Sequence, residues 1–200
     1  MKTSIKTLIA TSLTAIVLSS AIFTTSVSAA EKEPDAISQS SAYKRISVKG
    51  NVELTIIQRS NPGISYNDDN TGTAKVIQYG DHLKITSTSA EKVKLTVYVN
   101  DFYRIEASEN AIVKTEGKLK TKYLQIFLNG NAHAEINSST EGLYTVIADH
   151  ADLKLSGSTD NHILVMGKSQ KLTIDRFAAL KTNISSVEST VIEKEIASIK

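Results

Sequence analysis

Residues 124–136 read LQIFLNGNAHAEI, and this pattern of alternation, break and renewed alternation decides the fold class. Leu124, Ile126 and Leu128 occupy every second position, as in a strand that buries one face. Gly130-Asn131-Ala132 then interrupts the alternation with residues that favour tight turns. Alternation resumes and reaches Ile136. The stretch therefore predicts two short strands separated by a sharp turn.

Similar breaks recur at a regular spacing through the second half of the chain. Their centres are 21, 19, 18 and 18 residues apart, at Asn110, Asn131, His150, Lys168 and Ser186. A repeat of this length indicates stacked coils of β-structure, in which each coil buries its inner face against its neighbours. The five central residues differ chemically, so we interpret the row as turn residues rather than as a repeated ligand site.

This repeat predicts an all-β chain with about five stacked coils. The first coil needs a cover, and we expect antiparallel strands within residues 43–100 to provide it, including two strands joined by a turn at Lys49-Gly50-Asn51. An antiparallel β-sandwich is the alternative, because strands about every 8 to 12 residues are typical of that fold too.

The alternation also assigns side chains to the interior of the coils. Ile126 and Leu155 are inward candidates on this criterion, and so are Tyr144, Val146 and Ile163. Each of them would pack against the coil above or below.

Residues 1–30 have the composition of a secretory signal peptide. A positively charged start precedes a mostly apolar run from Leu8 to Phe23, and small residues at 27–30 provide a cleavage site. A membrane anchor is the alternative, but threonine and serine dilute the apolar run. We expect export to the periplasm, the cell surface or the medium, and no membrane span after cleavage.

The exported part is expected to be a flexible lead-in, residues 31–42, followed by a single domain, residues 43–200. Two of the 23 basic residues and none of the 21 acidic ones lie in residues 1–30, so residues 31–200 carry 21 of each sign. A neutral chain without a dense basic tract offers no electrostatic reason to bind nucleic acid. The chain has no cysteine, which excludes disulfides and thiol chemistry, and we expect no cofactor.

Two features of the sequence carry a family resemblance. One is the opening segment Tyr43–Ile56, and the other is the set of repeats marked by Gly, Asn and Ser, such as Leu128–Ala132 and Leu155–Ser158. Over roughly Tyr43 to Ile192 the chain resembles the putative auto-transporter adhesin head GIN domain family. The resemblance implies a right-handed, single-stranded parallel β-helix on an exported or surface-associated bacterial protein, with no established activity. The chain departs from the family in having no Gly-Ile-Asn tripeptide.

An acidic loop is the best candidate for a metal site. Asp68, Asp69 and Asn70 offer the hard oxygen ligands that Ca²⁺ prefers. The spacing does not match an EF-hand, because Gln78 stands where that loop requires a bidentate glutamate. We interpret the loop as a solvated turn, with a divalent-ion site as the alternative.

Enzymatic chemistry finds little support in the sequence. Arg104, Asp149, Asp160 and Arg176 could line one outer face of a polysaccharide-cleaving enzyme, but acid and base groups must be held close together. His150 would lie near other polar turn residues if the coils are in register, although a metal site needs three or four converging ligands. Polar turn chemistry explains the same residues.

Exposed aromatic side chains are the remaining candidates for a binding surface. Tyr98 is out of phase with the apolar Val97 and Val99 and should point outward. Tyr103, Tyr123 and His150 complete the candidate set. The sequence therefore predicts an exported, non-enzymatic β-scaffold that binds an envelope glycan or protein, with an enzyme acting on extracellular polysaccharide as the alternative.

Overall fold

The computed structural model describes residues 43–67, 72–167 and 169–186. Within these ranges it has thirteen β-strands and no helix. The all-β prediction is confirmed. The strands are β1 Arg45–Gly50, β2 Val52–Gln58, β3 Gly63–Tyr66, β4 Lys75–Tyr79, β5 His82–Ser87, β6 Val93–Val99, β7 Arg104–Ser108, β8 Ile112–Glu116, β9 Leu119–Lys120, β10 Tyr123–Leu128, β11 His133–Ile147, β12 Asp152–Met166 and β13 Lys171–Ser185. The expected signal peptide and lead-in lie outside the described residues.

The strands form one curled mixed sheet whose two arms meet at β11. One arm, which we call the first ladder, runs β5-β1-β7-β10 and joins the C-terminal part of β11 at Gly142–Ile147. The second ladder runs β6-β2-β8 and joins the N-terminal part of β11 at His133–Glu135. The long strands β12 and β13 each pair with the preceding strand along both parts.

Parallel pairing dominates this sheet. Among the described residues, ten strand pairs are parallel and two are antiparallel. Ile112 pairs with His133, His133 with Asp152, and Asp152 with Lys171, at separations of 21, 19 and 19 residues. The spacing of the breaks in the sequence therefore matches the number of residues between partners on neighbouring parallel strands. Because the pairing is mostly parallel, the alternative of an antiparallel sandwich is wrong.

The predicted antiparallel cover within residues 43–100 is confirmed for β3 and β4, which stand at the two ends of the sheet order, and is wrong for β1 and β2. Strand β1 lies between β5 and β7, with Arg45 paired to both His82 and Arg104 in parallel register. Strand β2 lies between β6 and β8, again with parallel pairs. Within residues 43–67 and 72–100, antiparallel pairing is confined to β3 with β6 and β4 with β5. The turn after Gly50 (φ 88°) carries the chain from one ladder to the other instead of closing a hairpin.

The breaks in the second half of the chain form a stack of corners. Glu109, Gly130 and Asp149 all have positive φ, at 61°, 66° and 56°. The Asn131 amide donates to Glu109 O at 2.8 Å, and the His150 amide donates to Gly130 O at 2.9 Å. A buried alanine stands two residues after each left-handed position, at Ala111, Ala132 and Ala151. The break residues therefore build the corners, as turn chemistry predicts.

The interior alternation changes phase at a bend in β11. Ile126 and Leu155 are fully buried, as expected, but Tyr144 and Val146 face outward and Ile163 is 45% exposed. The interior positions instead belong to Thr145 and His162, with Leu143 and Leu164 beside them. The strand bends between the ladders at Glu141–Gly142, so the inward positions shift by one residue. Because two interior residues are polar, apolar alternation selected the wrong face.

Within the described ranges, no helix has the length and apolar character needed to cross a membrane.

Candidate functional site

A groove of about 460 Å³ lies on the outer face of the first ladder. Parallel register aligns Lys84, Ser47, Glu106 and Phe127 in one row across β5, β1, β7 and β10. His82 and Arg104 lie two residues back along β5 and β7, and they line the same groove. Since side chains alternate across a strand, these outward positions follow directly from the burial of Val48, Leu83, Ile105 and Ile126 on the inner face.

Three side chains at the centre of the groove form a hydrogen-bonded chain. Ser47 Oγ donates to Glu106 Oε2 at 2.8 Å and lies 2.7 Å from His82 Nε2. A hydroxyl has one proton, so His82 Nε2 must be the donor in the second contact. Ser47 is thus held as a bridge between imidazole and carboxylate, and His82 is not placed as a base that could activate it.

Arg104 orders the adjoining side of the groove. Its Nε donates to Gln125 Oε1 at 2.8 Å and its Nη1 to Glu106 Oε1 at 3.4 Å. The Glu106 carboxylate therefore accepts one hydrogen bond from Ser47 on Oε2 and one from Arg104 on Oε1. Both contacts fix the carboxylate in one orientation before any ligand arrives.

An aromatic surface continues the groove onto β10 and β11. Phe127 is half-buried and lies 5.1 Å from the Arg104 guanidinium carbon and 5.8 Å from the Tyr144 ring, measured to ring centroids. The two rings are tilted by 56°. This places an apolar face next to the polar chain of Ser47 and Glu106, which is the combination found in small-molecule sites.

Two ion pairs involve residues that line the groove or stand next to its lining residues in the chain. Arg45 donates to Asp81 at 2.8 Å, and this hydrogen bond lowers the pKa of the Asp81 carboxyl and raises that of the guanidinium. Lys49 Nζ lies 3.2 Å from Glu109 Oε1. In the described part of the chain, Lys84 has no ion-pair partner although it lines the groove. The centre of the groove therefore retains a cation without a fixed counter-charge.

A second polar cluster lies on the outer face of β11 and β12, where β11 joins the second ladder. His133 Nδ1 lies 3.1 Å from Asp152 Oδ2, and its Nε2 lies 3.3 Å from Glu135 Oε1. The hydrogen bond to His133 lowers the pKa of Glu135. Within the described residues, no group of three or more His, Cys, Asp or Glu side chains is arranged to hold a metal ion.

The structure does not bring the predicted surface residues together. Tyr98 points outward, but the Arg59 guanidinium carbon lies 3.2 Å from its ring centroid and covers it. Tyr103 is half-buried, and its carbonyl accepts the Gln125 amide at 2.7 Å. Tyr123 is 57% exposed at the start of β10, and His150 is exposed at a corner. None of these four residues lines the groove.

The residues predicted for an ion site and for an enzymatic face do not form a site in the described structure either. Asp68, Asp69 and Asn70 lie outside the described residues, so the ion site stays a prediction. Of the four residues proposed for an enzymatic face, only Arg104 lines the groove. Asp149 accepts the Gly130 amide at a corner, Asp160 is exposed on β12, and Arg176 stands at a positive φ in β13.

Sequence reasoning missed Phe127, although a signal was present. Phe127 lies between the buried Ile126 and Leu128, so it is out of phase in the same way as Tyr98. The position of β1 between β5 and β7 is not visible in the repeat, and without it Ser47, His82 and Glu106 cannot be grouped.

The sequence profile of a family described as putative auto-transporter adhesin, head GIN domain, matches residues 42–190. The chain belongs to this family. The family description indicates an adhesion or binding role and a place outside the cell or at its surface. No curated protein sequence is significantly similar to this GIN domain chain.

Solved structures share the fold of this GIN domain at low sequence identity. A putative adhesin from Parabacteroides merdae superposes with a TM-score of 0.54 at 15% identity, covering 74% of this chain and 75% of the other. A putative adhesin from Parabacteroides distasonis gives 0.53 at 11% identity, with the same coverages. A putative lipid binding protein from that organism gives 0.55 at 12%, covering 73% and 75%.

Proposed function

We propose that the chain is an exported, non-enzymatic adhesin of the bacterial cell envelope, and that the groove on the first ladder binds a glycan. The observation that carries this proposal is the row of Ser47, Glu106 and Phe127 across three strands. Sugars present hydroxyl groups together with apolar ring faces, and the row offers a fixed carboxylate, a hydroxyl and an aromatic ring side by side. The adhesin description of the family supports a binding role.

In this proposal the two ladders are faces of a right-handed parallel β-helix with about five coils. The 19-residue pairing of His133 with Asp152 and of Asp152 with Lys171 supports such a stack. Each coil adds outward positions to the same face, so an extended ligand can contact several strands at once. A rigid scaffold of this kind reduces the entropic cost of ordering the binding groups.

The composition of the groove favours binding over catalysis. Glycosidases use a pair of carboxylates about 5 to 10 Å apart across the scissile bond. Among the described residues that line the groove, Glu106 is the single carboxylate, and it is engaged by Ser47 and Arg104. The interior is filled by Ile, Leu and Val side chains, which favours a ligand on the surface.

The direct test is binding of the purified protein to an array of bacterial envelope glycans. Phe127→Ala should lose most of the signal while Tyr123→Ala, which removes an exposed ring of β10 outside the groove, should keep it. Equal binding by the two variants contradicts the proposed site. Release of new reducing ends from a bound glycan supports the enzyme alternative, and capture of an envelope protein alone supports a protein ligand.

Export is tested separately by the N-terminus of the protein recovered outside the cytoplasm. A chain that begins at Ala30 or Glu31 supports cleavage of a signal peptide. A full-length chain retained in the membrane supports the anchor alternative.

A further inference from the structure

The groove concentrates positive charge in a chain that is otherwise balanced. Residues 31–200 carry equal numbers of acidic and basic residues. The groove lining nevertheless contains Lys49, Lys84 and Arg104 against the single acidic residue Glu106. Lys49 has Glu109 as a neighbour at 3.2 Å and Arg104 has Glu106 at 3.4 Å, so the excess charge resides in Lys84, with Arg104 as a second, paired cation.

These two cations remain available to a ligand in different ways. Lys84 is exposed and has no ion pair within the described ranges. Arg104 donates one N–H to Gln125 and one to Glu106. A guanidinium has five N–H donors in a planar fork, so three remain. Arg104 is therefore oriented by its neighbours and retains donors for an anion.

The dimensions of the row favour a chain-like ligand. Lys84 and Phe127 are separated by three strand spacings, because Ser47 and Glu106 lie between them. At about 4.8 Å per spacing this is roughly 14 Å, too long for a single sugar ring. A linear glycan running across the strands can place one unit near Lys84 while another contacts Phe127.

We propose that the ligand of the groove is an acidic glycan, with its carboxylates held by Lys84 and Arg104 and a sugar ring packed against Phe127. This inference rests on the proposed function and deepens it by naming the ligand class. Glu106 accepts sugar hydroxyls in this arrangement, and its charge is offset by Arg104 at 3.4 Å.

Two oligosaccharides that differ only in the acid group provide the test. A β-1,4-linked mannuronate hexasaccharide and β-1,4-mannohexaose have the same backbone stereochemistry, and one bears a carboxylate at C6 where the other bears a hydroxymethyl group. Their affinities for the full protein are measured by calorimetry at low and high NaCl. We expect at least fivefold tighter binding of mannuronate, with the preference reduced at high salt because ions screen exposed charges.

A lysine variant assigns the preference to the groove. Lys84→Gln should weaken mannuronate binding about threefold to fivefold, as expected for the loss of an exposed ion pair, and should reduce the preference for mannuronate over mannohexaose. Lys118→Gln removes another exposed lysine outside the groove and should change neither. Melting curves check that both variants are folded.

The outcomes separate this inference from the function on which it rests. Equal affinity for both oligosaccharides, with binding lost in Phe127→Ala, overturns the acidic ligand and leaves glycan binding at the groove intact. A mannuronate preference that Lys118→Gln reduces as much as Lys84→Gln also overturns it. Binding of neither oligosaccharide overturns the acidic-ligand proposal, and the glycan array then decides the proposed function independently.

Discussion

Ser47 and Glu106 lie opposite each other on the parallel strands β1 and β7, and the Ser47 hydroxyl donates to Glu106 Oε2 at 2.8 Å. The same hydroxyl lies 2.7 Å from His82 Nε2 on β5. Side chains from three adjacent strands are thereby locked into one orientation. Such preorganisation reduces the free energy spent on ordering a site when a ligand binds.

Removing this bridge should weaken binding without unfolding the protein. Ser47→Ala leaves the Glu106 carboxylate with one protein donor fewer, so we expect glycan affinity to fall by roughly 1 kcal/mol, or about fivefold. Titration calorimetry measures the loss. Ser65→Ala, on the exposed strand β3, is the matched control and should bind normally. Unchanged affinity in Ser47→Ala would show that the hydrogen-bonded chain has no part in binding.

The inward face is tested by a buried charge. Ile126 is fully buried, and Ile126→Asp places an unpaired carboxylate in the core at a cost of roughly several kcal/mol. We expect the cooperative thermal transition to disappear. Tyr123→Asp on the same strand, at a 57% exposed position, should melt like the wild type. A near-native transition for Ile126→Asp contradicts the inward assignment.

A glycine comparison tests the close approach of neighbouring strands. Gly157 has φ 103°, and a Cβ there would lie 1.9 Å from Ser138 O on the paired strand. Gly80 also has positive φ, at 59°, but a Cβ there meets no atom within 4 Å. We expect Gly80→Ala to cost about 1 to 2 kcal/mol from backbone strain alone, and Gly157→Ala to cost clearly more. Urea unfolding measures both, and equal costs would mean that the strands are not this close.

Stability should fall in mild acid because of His162. This side chain is 2% exposed, and burial lowers its pKa from the ordinary value of 6.5. Below that ordinary value the unfolded chain takes up a proton that the folded chain resists, so stability is complete above pH 6.5 and declines as the pH falls towards the folded pKa.

The measurement is urea unfolding at pH 7.5 and pH 5.5. We expect a loss of up to about 1 kcal/mol from His162, which disappears in His162→Gln, a variant that can still hydrogen-bond Thr145. His150→Gln removes an exposed histidine and should retain the full loss. The same loss in both variants would assign it to other groups.

The parts of the fold that depend on local chemistry could be predicted from the sequence. Strand alternation correctly placed Ile126 and Leu155 inside, and the turn residues at Gly130 and Asp149 became corners with positive φ. The period of about 19 residues equals the separation in sequence of laterally paired residues such as His133 and Asp152. These features follow from neighbours in the chain and from one repeating distance.

The parts that depend on long-range order could not be predicted. Apolar alternation failed at Tyr144 and Ile163, because Thr145 and His162 take interior positions after the bend in β11. The groove was missed because β1 lies between β5 and β7, out of chain order. No local pattern records that insertion.

The claim that the groove is the binding surface is tested most directly by NMR. Amide resonances of ¹⁵N-labelled protein are followed during titration with the oligosaccharide that binds best on the array. We predict that the largest shifts belong to Ser47, Lys84, Glu106 and Phe127, with Tyr98 and His150 unchanged. Saturable shifts centred on Tyr98 or His150, with the groove residues unaffected, would contradict the claim.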